Sequence, residues 1–90
     1  MEVRDYERHA RETDGVALVI YAPSGTQVGD FDWRNAADQG MSVTEYLRVR
    51  AYSRIGDYEA AVIDGHGYVP HGRTRIARVR ASYEKQAQAA

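Results

Sequence analysis

The chain has 90 residues, of which 43% are hydrophobic and 28% charged, with a net charge of −1 and no cysteine. That length supports one small domain, 1–90, with a modest core; the composition argues against disorder and excludes disulfides and thiolate metal sites. No apolar run can span a bilayer and no signal-peptide core opens the chain, so a cytoplasmic protein is expected.

Met1 to Asp14 reads as a helix. Val3, Tyr6 and Ala10 form a thin apolar face, Glu7 and Arg11 are spaced as an i,i+4 pair, and Gly15 is the expected stop. Val16 to Tyr21 is an unbroken apolar run, mostly β-branched or aromatic, and predicts a strand covered on both faces. Pro23-Ser24-Gly25 is a turn. The stretch from Asp30 to Ile55 predicts a helix pair broken at Gly40, with 32–39 as its first member. Ser42 and Glu45 have capping-box spacing, and Met41 and Tyr46 have that of a hydrophobic staple. Val43, Tyr46, Leu47, Ala51 and Ile55 then make one apolar stripe, with Arg48, Arg50 and Arg54 off it.

Tyr58 to Ile63 alternates weakly and reads as a strand, with a continued helix as the rival reading. Asp64-Gly65-His66-Gly67 is a turn, and Tyr68-Val69-Pro70 is extended, so a short hairpin is expected. Arg73 to Ala90 favours a C-terminal basic helix: Ile76, Val79 and Tyr83 follow helical spacing, Thr74 is placed to cap it, and a strand is the rival reading. The fold class is therefore α+β: N-terminal helix, central apolar strand, helix pair, short hairpin, C-terminal basic helix.

The small net charge hides an asymmetry. Residues 1–45 carry nine acids against four Arg, whereas 46–90 carry seven Arg and Lys85 against four acids. A chain so polarised can present a basic face to an anionic partner, or its two halves can pair with each other. Arg73, Arg75, Arg78 and Arg80 fall within eight residues free of acid. With Arg48, Arg50 and Arg54 they are the candidate phosphate contacts, which give affinity and salt dependence rather than sequence choice.

Gly40 to Arg48, GMSVTEYLR, resembles the helix junction of ribbon-helix-helix proteins, small bacterial and plasmid DNA-binding regulators. The resemblance covers about a tenth of the chain. It implies that Ser42 and the amides of Val43 and Thr44 grip a phosphate, since unpaired amides and the dipole make a helix N-terminus an anion site. It also implies a dimer in which a strand, here Val16 to Tyr21, pairs with its twin. That strand offers no polar side chain for base edges.

Other chemistry is thinly represented. Asp64, His66 and His71 fit no metal-ligand spacing, and Gly25 and Gly29 are followed by no GK[ST]. No catalytic residue, metal or cofactor is expected. Tyr46 and Tyr83 read as core, while Tyr52, Tyr58 and Tyr68 are candidates for an exposed contact surface. The expected function is a small, dimeric nucleic-acid-binding accessory or regulatory protein, not an enzyme. The alternative is a protein-binding module, such as a phage- or plasmid-encoded inhibitor that docks on a host complex.

Overall fold

In the computed structural model residues 1–89 are described, with side chains through Lys85. The thin apolar face of the first segment winds as α1 (Val3–Asp14) and is fully buried at Val3, Tyr6 and Ala10. The Glu2 carboxylate starts the helix, accepting from the Arg4 amide at 2.8 Å and from the Gly25 amide at 2.7 Å. Gly15 stops it at φ 66°, a left-handed conformation glycine takes without a Cβ clash.

The apolar run forms β1 (Ala17–Ile20), which pairs antiparallel with β2 (Ala60–Ile63). Opposite residues share a face: Leu18 and Ile20 meet Val62 and Ala60 on the buried side. The other side is not covered as expected. Ala17 and Val19 are half-buried and Tyr21 is 59% exposed. With only two strands, the helices have one sheet face to pack on, so the run is apolar beyond what burial requires.

Side chains close the sheet's edges. Glu7 accepts from the Ile20 amide at 2.7 Å and Arg4 donates to the Ile20 carbonyl, so Glu7 pairs with Arg4 at 2.8 Å and not with Arg11. On the far edge the Tyr52 hydroxyl meets both the amide and the carbonyl of Ala60, at 3.3 and 3.1 Å. At the open end the Tyr83 hydroxyl stands between the strands, accepting from the Ala17 amide at 2.9 Å and donating to the Ile63 carbonyl.

The second helix of the expected pair forms as a continuous rod: α2 (Val43–Leu47), a π-helical turn (Arg48–Tyr52) and α3 (Ser53–Ile55). Val43, Tyr46, Ala51 and Ile55 are buried along it. In the π turn the Arg50 carbonyl takes the Tyr6 hydroxyl, and the Val49 carbonyl takes the Ser53 hydroxyl at 2.6 Å. Ser42 caps the rod as expected, accepting from the Glu45 amide at 3.1 Å; the Glu45 carboxylate meets the Ser42 hydroxyl rather than its amide.

Two expectations are corrected. Residues 32–39 are not helical. They follow an irregular path that, after the buried Phe31, buries Ala37 and packs Trp33 against the core. Their backbone groups bond to side chains from three helices: Ala37 N–H to Asp14, and the Asn35 and Ala37 carbonyls to Arg50 and Arg80. These side-chain partners replace bonds a helix would have made, and tertiary context overrides local propensity. The hairpin is also absent. β2 takes β1 as partner, and Tyr68 returns only as far as a bond from the Asp64 amide at 2.8 Å.

The C-terminal stretch is α4 (Ile76–Ala89), a helix as favoured, beginning three residues later than expected; Ala90 lies outside the described residues. Ile76 and Val79 complete the core. No helix among the described residues is long and apolar enough to cross a membrane.

Candidate nucleic-acid interface

Two helices start side by side. Ser42 and Arg75 face each other across an antiparallel bridge. The amides of Val43 and Thr44 donate to the carbonyls of Thr74 and Gly72 at 2.8 and 3.0 Å. In return the amides of Ile76 and Ala77 donate to Met41 and Gln39 at 2.8 and 3.0 Å, doing the work expected of a Thr74 cap. Each helix therefore has its first-turn donors satisfied by the backbone leading into the other. The Val43 and Thr44 amides, which the family resemblance would place on a phosphate, are already bonded. The Ser42 hydroxyl is committed to its own helix.

This junction gathers part of the candidate set. Arg73 and Arg75 lie in the backbone beside the α2 start, and the Arg75 guanidinium donates to the Gly40 carbonyl at 2.9 Å. Arg78 is one helical turn along α4, and Arg48 one turn along the rod from Thr44. All four are exposed. Among the described residues no carboxylate pairs with any of them.

Of the other three candidates, Arg50 and Arg80 turn inward and Arg54 is paired at the surface. Arg50 donates to Asp14 at 2.7 Å, with side-chain exposures of 12% and 0%, and to the Asn35 carbonyl at 2.9 Å. Arg80 donates to the carbonyls of Asp14 and Ala37 at 2.7 and 2.8 Å. Arg54 pairs with Asp32 at 3.2 Å and lies 4.7 Å from the Trp33 ring centre. The division follows from helical geometry. Arg48 and Arg50, like Arg78 and Arg80, are two residues apart and point to nearly opposite sides, so one of each pair meets solvent and one the core. These three form no surface with the other four.

Asp14 organises the inward set. Its carboxylate also accepts from the Ala37 amide and the Tyr46 hydroxyl, each at 2.8 Å. Burial, and then the Asp14 charge, push the Tyr46 phenol far above its ordinary pKa; burial does the same to Tyr6. In the sequence Asp14 looked like an ordinary polar residue before a helix stop. The available signal was an acid with a glycine after it, which is too common to single out.

Sequence reasoning also left a cleft unseen. A space of about 400 Å³ opens between the 64–74 loop and α4, lined by Asp64, His66, Pro70, Thr74, Arg78 and Lys85, among others. Two cations, Arg78 and Lys85, stand on its helical wall. The Asp64 carboxylate is occupied by the amides of His66 and Tyr68 at 2.8 and 3.0 Å. Among the described residues no group of His, Asp and Glu is placed to hold a metal ion. Comparison with protein-family models, with curated proteins and with solved structures finds no match to this chain.

Proposed function

We propose that this chain is a non-enzymatic nucleic-acid-binding accessory or regulatory protein that holds phosphates with Arg48, Arg73, Arg75, Arg78 and Lys85. One observation carries the reading: the four guanidinium groups at the paired helix starts have no carboxylate partner among the described residues, while Arg50, Arg54 and Arg80 are consumed by the fold. A guanidinium fork suits a phosphate's paired oxygens; all four are exposed and without a counter-charge, and Arg75, which gives one N–H to the Gly40 carbonyl, keeps others to donate. The proposal includes no ribbon shared between two copies, because side chains already occupy the sheet's edges at Ile20 and Ala60.

Fluorescence anisotropy with labelled nucleic acid across a salt series tests this. Each phosphate contact adds roughly 0.7 to 0.9 to the slope of log affinity against log salt. Arg75→Ala with Arg78→Ala therefore flattens the slope by about 1.4 to 1.8. No binding at low salt, or an unchanged slope in the double variant, refutes the proposal.

A second reading, a protein-binding module such as an inhibitor docking on a host complex, has its own observation. Tyr21 and Tyr58 are 59% and 40% exposed where the sheet meets Asp57 and Glu59, and the Tyr21 amide bonds the Glu59 carbonyl at 2.8 Å. Such a chain ignores nucleic acid and loses its partner when one or two of these tyrosines become Ala.

A further inference from the structure

The basic cleft has one wall that phosphate binding alone leaves unused. The 64–74 loop is held at many points. Asp64 accepts the amides of His66 and Tyr68 on its carboxylate, and its own amide donates to the Tyr68 carbonyl. Gly67 turns the chain at φ 83° and donates to the Asp64 carbonyl at 3.1 Å. The Gly65 amide donates to the Ser82 hydroxyl at 2.8 Å, and the backbone there is so close to α4 that a Cβ on Gly65 would run into the Ser82 carbonyl. This braced loop carries Tyr68 outward, 72% exposed, with Val69 beside it at 61%. Residues on both sides of Tyr68, His66 and Pro70, line the cleft that Arg78 and Lys85 face from the helix.

We infer that the ligand is a single strand, with a base stacked on the Tyr68 ring at the cleft rim while Arg78 and Lys85 hold its backbone. This rests on the phosphate-binding reading and narrows its ligand. An exposed ring on a braced loop that borders a cationic cleft is the pairing that single strands use: aromatic faces take unstacked bases of any identity, and cations follow the backbone. Arg78 and Lys85 lie seven residues apart on α4, roughly 10 Å along its axis at 1.5 Å per residue. A flexible strand can bend to meet both and still turn a base onto Tyr68. In a duplex the bases are stacked on one another and their faces are out of the ring's reach.

The test compares a labelled oligothymidylate with a duplex of matching length at low salt, using the full chain, Tyr68→Ala and Tyr68→Phe. The ring is exposed, so both variants should keep the wild-type far-UV circular dichroism. The expected result is tighter binding of the single strand, a roughly 10- to 100-fold loss for Tyr68→Ala, near-full affinity for Tyr68→Phe, and duplex binding alike in all three. Equal binding of both ligands with a silent Tyr68→Ala overturns the single-strand inference and leaves the phosphate reading standing. Binding of neither overturns both.

Discussion

The strongest demand on this fold is made by one carboxylate. Asp14 is fully buried and serves three donors: Arg50 at 2.7 Å, and the Tyr46 hydroxyl and the Ala37 amide at 2.8 Å. Asp14→Ala leaves a guanidinium 12% exposed with no counter-charge, and strands a phenol and a backbone amide. Removing one member of a buried ion pair costs about 3–5 kcal/mol. A chain of this length has a total stability of roughly 5–13 kcal/mol, at about 0.05–0.15 per residue. The variant is therefore expected to lose about a quarter of its stability at the least, and to be roughly half unfolded at the other extreme. At about 4–8 °C per kcal/mol, even the lower loss moves the melting temperature down by roughly 12–24 °C. Thermal and urea unfolding followed by far-UV circular dichroism reads this directly. Arg50→Met added to Asp14→Ala should recover part of the loss, because the stranded charge goes with it. A loss below about 1 kcal/mol for Asp14→Ala, or a double variant as unstable as the sum of the singles, refutes this account of the pair.

Two further predictions concern tyrosines. Tyr83→Phe removes the hydroxyl that bridges Ala17 and Ile63, leaving a part-buried amide and carbonyl unpaired; a loss of about 1–2 kcal/mol is expected in urea unfolding, with the helix content kept. Burial raises the phenol pKa of Tyr6, Tyr46 and Tyr83 in the folded state above the ordinary value of 10.0. The unfolded chain therefore gives up these protons first. Their contribution to stability is complete below about pH 10 and is lost as pH rises above it. Alkaline titration at the tyrosinate absorbance should show ionisation of these three rising together with the loss of circular dichroism. Ionisation of all seven tyrosines while the fold persists counts against their burial.

Much of the architecture was legible in advance, for identifiable reasons. α1, the Ser42-capped rod and α4 each carry a periodic apolar pattern, and β1 an unbroken apolar run bounded by Gly15 and Pro23; a local pattern suffices for a local element. Residues 32–39 misled because they contain no breaker, yet they fold against side chains that lie elsewhere in the chain. The same limit applied to the arginines. Spacing separates Arg48 from Arg50 and Arg78 from Arg80, but does not say which of each pair meets water.

The amino-acid sequence alone determined the α+β class, the stop of the first helix at Gly15, the Ser42 start of the rod, and a basic second half opposed to an acidic first. The tertiary structure decided the strand partner, the path of 32–39 and the division of the arginines into three that bind the fold and four that face solvent. The division of the arginines depends on Asp14, Asp32, Asn35 and Ala37, which lie far along the chain from the guanidinium groups they meet. A buried carboxylate, once placed, binds whichever donors its neighbours bring within reach.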